Sequence, residues 1–318
     1  MSISILRTVD GWWIETPAGA SQIPTDATTT RELLAEADAI RLLARQRPVD
    51  LVPLHDLDLL SPVTTPCRVV AQMVNYASHA RDSGFDPRSV PTTFFRKASG
   101  SISGAFDDVV TPAHVRFLDY EVELGLVFGD TMRVGDTITE ADLPRLIAGV
   151  VVANDVSARE VQLTKSQFYE SKSYPTFTPI GPRLVLLDAS DFAYLRQDLR
   201  LTLSVNGVVR QDGTVADMIS QPLESLRVLS RFQQMDPGDI LLTGTPGGTA
   251  LKAPPKAIEK VAALLSPSAK WSAFFRSQAK NPKYLTAGDV IEATIRSSDG
   301  AVDLGSQRTT VVDEEVNT

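Results

Sequence analysis

The chain has 318 residues and a formal net charge of -8, with 43% hydrophobic and 22% charged residues. That balance belongs to a globular protein with a full core, and an acidic chain without a basic run argues against nucleic-acid binding. The single Cys67 excludes an internal disulfide, no apolar run is long enough for a membrane span, and the start MSISILRTVDGWW lacks the regions of a signal peptide, so a cytoplasmic protein is expected.

Residues 1–65 read as a small leading module. A hairpin is predicted over 3–15 around Asp10-Gly11. Thr29 to Glu32 has the spacing of a capping box, opening a helix in TRELLAEADAIRLLARQ that Pro48 ends. From residue 66 the chain turns strand-rich. VVAQMV (69–74), the segment 119–128, GVVVANDVS (149–157) and PRLVLL (182–187) are predicted strands. LRLTLSVNGVVRQ places Asn206-Gly207 between two apolar runs, a hairpin signal. NYASHARDS (75–83) and PLESLRVLSRF (222–232) read as helices, while PGDILLTGT (237–245) and AGDVIEATI (287–295) each launch an apolar run from a Gly-Asp turn. Between the last two lies 250–284, read as an insertion of two short amphipathic helices broken at Ser266-Pro267. Many strands and few helices predict an α+β, mainly β architecture with peripheral helices.

In DYEVELGLV (119–127) the acids Asp119, Glu121 and Glu123 alternate with apolar residues. Neighbouring acids on one strand face sit about 7 Å apart. Two like charges at that distance repel by about 2 kcal/mol at an effective dielectric of 20, and by far less in water. A wet strand face therefore tolerates the row, whereas a cleft demands a hard cation, for which carboxylate oxygens are suited. Both readings stand on this stretch alone. Asp155, after VVVAN, is either a cap or a third oxygen ligand. His79 and Asp82, three apart on a helix, are either an incidental surface pair or an imidazole held by a carboxylate as a general base. Lys172 in YESKSYP reads locally as a solvated lysine, and TGTPGG (243–248) as a turn whose amides suit an anion. The chain carries no HExxH, GxxxxGK[ST] or GxSxG motif, and no GxGxxG after a strand, which argues against zincin, phosphate-loop, Ser-hydrolase and dinucleotide chemistry.

Taken in order, NYASHARD, FFRKAS, DYEVELGLVFG, NDVSAREVQ, SKSYPTFTPIGP, GDILLTGTPGG and AGDVIEATI resemble the fumarylacetoacetate hydrolase family over about 66–312. The leading module matches that family's variable leading domain more loosely. The resemblance implies a mixed β-sandwich roll, commonly a homodimer. It also implies a cation, Mg2+ or Mn2+ with Ca2+ as an option, held by Glu121, Glu123 and Asp155, with Asp119 outside the ligand set. His79 would activate water from a mobile lid with Asp82 as its acidic partner, and Lys172 would steady an oxyanion. Arg159 and Gln162 would contact metal-bound water or substrate, Thr245 matches the Thr of the GTP loop, and Arg96 or Lys97 would grip a substrate carboxylate.

The implied activity is hydrolysis of a carbon–carbon bond in an acylpyruvate or related diketo acid, as in aromatic breakdown. Decarboxylation or keto–enol isomerisation of a 2-oxo diacid on the same site is the alternative. A non-catalytic binding protein is disfavoured because Glu121, Glu123, Asp155, His79 and Lys172 are all present. Departures from the family pattern leave the substrate open: Ala71-Gln72-Met73-Val74 before Asn75-Tyr76, FRKA in place of FLKP, Asp82 in place of Glu, and the 250–284 insertion.

Overall fold

Short turns with left-handed residues set much of the strand pairing. In the computed structural model, which describes residues 2–46, 50–165, 167–253 and 266–315, Ile3–Thr8 (β1) and Gly11–Thr16 (β2) form the expected first hairpin, with Ile5 opposite Ile14, and Gly19–Gln22 (β3) extends it. Next come Val69–Met73 (β4), Thr93–Lys97 (β5), Val109–Thr111 (β6), Val122–Phe128 (β7), Ile147–Asn154 (β8) and Leu184–Leu186 (β9). Asn206 and Gly207, at φ 52° and 74°, then turn Leu199–Val205 (β10) into Val208–Thr214 (β11). Ile240–Leu242 (β12), Val290–Ser297 (β13) and Asp303–Asp313 (β14) complete the larger strands.

Nine strands form one sheet, in the order β3-β2-β1-β9-β8-β7-β12-β4-β5, and five form a second, β11-β10-β13-β14-β6. Both are mixed, because β4 runs parallel to β12 and β6 parallel to β14 while their other pairs are antiparallel. Residues Ile3, Ser4 and Ile5 of β1 pair with Leu186, Val185 and Leu184, so the main sheet runs on without a break across residue 65. At the other end, Arg68 stitches β4 to the turn before β12: its N–H donates to Asp239 Oδ1 at 2.7 Å, and its guanidinium reaches Asp236 and Asp239.

The helices are short: Thr30–Ala35 (α1), Ala37–Ala44 (α2), Ala77–Asp82 (α3), Arg159–Lys165 (α4), Pro222–Leu229 (α5) and Pro267–Gln278 (α6). The capping box is present, with Thr29 Oγ1 accepting from the Glu32 N–H and the Glu32 carboxylate from the Thr29 N–H. The single helix predicted there breaks into α1 and α2 at Glu36, whose φ of -100° and ψ of 11° leave the helical range. Pro48 lies outside the described residues, and so does the first of the two helices expected in 250–284. The second is α6, capped by Ser266.

Two apolar layers sandwich the main sheet. Between the sheets, Val122, Leu124, Leu126 and Phe128 of β7 pack with Val150, Val152, Leu201, Leu203 and Ile295. Behind, Val127, Val151, Ile240 and Leu242 pack with Leu33, Leu34 and Ile40 of α1 and α2. Each such side chain contributes about 1.5–3 kcal/mol through burial. Gly125 is needed on that rear face, since a Cβ there would lie 2.7 Å from Val151 Cγ2 and 2.8 Å from Ile240 Cδ1. Every residue from 119 to 128 is buried, so the wet-face reading of the acid row is overturned: cover on both faces of β7 leaves its acids no solvent. Among the described residues no helix is long and apolar enough to cross a membrane.

Candidate functional site

The ladder between β7 and β8 assembles three acids. Glu121 and Glu123 leave the same face at the start of β7, and Asp155 follows β8, whose Ala153 lies opposite Glu123. The Asp155 N–H donates to the Glu121 carbonyl at 2.8 Å, and the Glu121 N–H to Asn154 Oδ1 at 2.9 Å. One oxygen of each of Glu121, Glu123 and Asp155 lies within 4.8 Å of the others, and all three residues are buried. Hard oxygen donors at this spacing fit a divalent cation.

Three side-chain cations close over the acids. Lys172 Nζ donates to Glu121 Oε2 at 2.8 Å and to Asp155 Oδ2 at 2.5 Å. Lys97 Nζ donates to Asp155 Oδ1 and, at 2.9 Å, to the Phe177 carbonyl. Arg159 donates from Nε to Asp119 at 2.8 Å, from Nη2 to Glu121 Oε1 at 2.5 Å, and from Nη1 to Gln162 Oε1 at 2.9 Å. Glu123 receives only the Gly244 N–H, at 2.7 Å, among the described residues.

Protonation follows from these contacts. Burial alone would raise Glu121, but the Lys172 and Arg159 charges outweigh it and hold the carboxyl well below its ordinary range. Burial pushes Glu123 well above that range, and the negative charges of Asp155 and Glu121 push it further. Burial also lowers both lysines; at Lys172 the charges of Asp155 and Glu121 prevail over it, and at Lys97 burial and the Lys172 charge prevail over the pull of Asp155. Glu123 is therefore the carboxyl whose proton a divalent ion would replace.

Asp119 keeps out of the triad, as expected. Fully buried, it accepts from Arg159, from the Tyr120 and Ala250 N–H groups at 2.9 Å and from the Leu251 N–H at 3.0 Å. It thus ties the segment after TGTPGG to the acid strand.

Several residues expected at the substrate are placed differently. Arg159 and Gln162 brace Glu121 from behind, with the guanidinium buried and taken up by protein acceptors. The Thr245 hydroxyl donates to the Val122 carbonyl at 2.9 Å and accepts from Gln211 Nε2 at 2.7 Å, so it is turned into the protein. Alternation along β5 sends Lys97 inward and Arg96 out to solvent, which removes Arg96 from the site. Lys97 itself is fully buried, with its ammonium on Asp155 and the Phe177 carbonyl.

The expected His79–Asp82 pair does not form. Both stand on α3, but Asp82 Oδ2 accepts from the Gly248 N–H at 3.1 Å and Oδ1 from Lys252 Nζ at 3.2 Å. His79 Nδ1 is buried and has no hydrogen-bond partner among the described residues. Burial depresses the His79 pKa against the pull of Glu121, and the Arg159 and Lys172 charges depress it further, so a neutral imidazole stands beside the acid cluster.

Three supporting residues escape sequence reasoning. Gln211, fully buried on β11, accepts from the Val122 N–H at 2.9 Å and donates to Thr245 and to the Pro246 carbonyl, locking the TGTP turn to the acid strand. Asn154 receives the Glu121 N–H, and Asp217 receives the Ser78 N–H at 2.8 Å, fixing the start of α3. Only Asn154, next to Asp155 in VVANDVS, carries a local signal.

Residues 68–312 match the family model described as fumarylacetoacetate hydrolase, C-terminal. The chain is 35% identical over 245 residues, 74% of its length and 75% of the relative's, to a mitochondrial oxaloacetate tautomerase of Bos taurus. It is 34% identical over 248 residues, 78% of its length and 74% of the relative's, to a 2,4-didehydro-3-deoxy-L-rhamnonate hydrolase of a Sphingomonas species. The crystal structure of a probable 2-hydroxyhepta-2,4-diene-1,7-dioate isomerase from Mycobacterium abscessus aligns with a TM-score of 0.75 at 29% identity, covering 99% of this chain and 100% of that one.

Proposed function

The chain belongs to the fumarylacetoacetate hydrolase family, and from that premise we propose that it interconverts the keto and enol forms of a 2-oxo diacid at a divalent-metal site. The observation that carries this reading is the solitary His79. Making hydroxide from water leaves an imidazolium, which a hydrolase steadies and orients with a neighbouring carboxylate. Asp82 is committed to Gly248 and Lys252 instead. Taking a proton from the carbon beside a carbonyl makes the same imidazolium, but the proton returns to the substrate oxygen and no water has to be positioned, so a neutral His79 can serve without a carboxylate partner.

Glu121, Glu123 and Asp155 would hold the cation, which supplies Lewis-acid stabilisation of negative charge on the substrate oxygen. Lys172 and Arg159 keep Glu121 ionised, and Lys97 and Lys172 fix the Asp155 carboxylate. His79 carries the proton between carbon and oxygen, so nothing is gained or lost overall. The tautomerase and isomerase names among similar proteins support this reading.

Hydrolysis of an acylpyruvate is the second reading, favoured by the similarity to a sugar-acid hydrolase. A homodimer accompanies either reading and is checked by sedimentation equilibrium.

The deciding experiment follows the enol absorbance of oxaloacetate beside cleavage of acetylpyruvate, with and without Mg2+ or Mn2+. Metal-dependent tautomerisation is expected, lowered about 10²-fold or more in His79→Ala. Asp82→Asn should lower it by less than about tenfold, since Asp82 is not the orienting partner. Metal-dependent cleavage of acetylpyruvate, impaired equally in both variants, would establish hydrolysis in its place.

A further inference from the structure

Away from the acid cluster, a cleft of about 960 Å³ opens between α6, the segment following it, and the β10–β11 turn at Asn206. Its wall is aromatic. Phe117 stacks on Phe275 with ring centroids 5.6 Å apart, and Phe275 stacks on Trp271 at 5.5 Å. Its rim is cationic. Arg210, Arg276 and Lys280 line it and form no ion pair among the described residues, and Arg210 Nε is buried without a hydrogen-bond partner. The carboxylate on the lining, Asp289, is already used by the Asn206 side chain at 2.7 Å and by the Thr286 N–H at 2.8 Å. In a chain of net charge -8, unpaired cations gathered round stacked rings are an arrangement that packing alone does not require.

We infer that this cleft binds an aromatic carboxylate. The half-buried rings of Trp271 and Phe275 line the cleft with apolar surface suited to edge-to-face packing, and the guanidinium forks match a carboxylate edge. A phosphate is the poorer match, because it has no ring to pack against Trp271 and Phe275. Cavities of this size take small-molecule ligands. The floor is also connected to the acid cluster: Asn281 Nδ2 donates to the Ala250 carbonyl at 2.8 Å, and the Ala250 N–H donates to Asp119 at 2.9 Å. An occupant therefore bears on the segment that Asp119 holds. None of this depends on which reaction the acid site performs.

The test is isothermal titration of the full chain with 2-naphthoate, and with 2-naphthol and inorganic phosphate as controls. Saturable binding of 2-naphthoate is expected, weakened about tenfold or more in Arg276→Met and in Arg210→Met. Arg276 is exposed, so its variant keeps the fold, which circular dichroism verifies. Binding should be about tenfold weaker for 2-naphthol and absent for phosphate. Failure of 2-naphthoate to bind, binding indifferent to both substitutions, or phosphate binding equally well would each overturn the assignment.

Discussion

Glu32 and Glu121 are both held below the ordinary carboxylate range, by opposite means. Glu32 is exposed, and the N–H and hydroxyl groups of Thr28 and Thr29 bring it from 4.5 to about 2. Glu121 is buried, and Lys172 and Arg159, 51 and 38 residues away in sequence, outweigh the cost of that burial. One acid is stabilised by its own helical turn, the other by segments that meet only in the folded chain. The difference teaches where sequence is informative: a local partner leaves a spacing to read, and a distant one leaves none.

The remote kind is tested most severely by Lys172→Met. Glu121 and Asp155 then face each other with one cation fewer, and breaking a buried pair in this way costs about 3–5 kcal/mol. Urea unfolding should show the loss, and added Mg2+ should restore part of it. A variant as stable as wild type would mean that the ammonium compensates nothing. Asp119→Asn should come next. It weakens contacts to Arg159, Ala250 and Leu251, an expected loss of about 2 kcal/mol, with faster amide exchange at Ala250 and Leu251 than in wild type.

Glu123 sharpens the comparison through protons rather than stability. Because burial and the neighbouring Asp155 and Glu121 charges raise its folded pKa, Mg2+ binding should be accompanied by proton release. Titration calorimetry in two buffers of different ionisation heat counts it, and Glu123→Gln should abolish the release. Thr29→Ala is the smallest effect, about 1 kcal/mol for a lost N-cap. The acid limb follows from the sign of the Glu32 shift. Its folded pKa of about 2 lies below the ordinary 4.5, so its contribution is full above about 4.5 and is lost as pH falls through 2. Acid unfolding of Glu32→Gln should lack that component.

Much of the fold and the membership of the triad are legible because each has a local pattern. Asn206-Gly207 demands its hairpin, Thr29 to Glu32 demands its cap, and the alternation at 119–128 demands a strand. Cover on both faces of β7 is not legible, since the same alternation describes a strand with one wet side, and the acids are covered only by Lys97, Arg159 and Lys172, which arrive from distant segments. Lys172 lies among Glu170, Ser171, Ser173 and Tyr174, the composition of a solvated loop, and its burial makes sense only beside Glu121 and Asp155. Asp82 errs in the other direction. Helical spacing permits a contact with His79, yet the Gly248 N–H, from a turn 166 residues away, takes the carboxylate.

The parallel pairing of β4 with β12 has a consequence for synthesis of the chain. Arg68 and Asp239, which fasten that pairing, are 171 residues apart. At about 5–20 residues per second, β4 leaves the ribosome roughly 10–30 s before its neighbour exists. Through that interval the apolar edges of β4 and β7 have no β12 between them, and Glu123 lacks the Gly244 N–H that donates to it. The nascent protein therefore carries its acids and an open sheet edge together, and the acid cluster closes only once Gly244 has emerged.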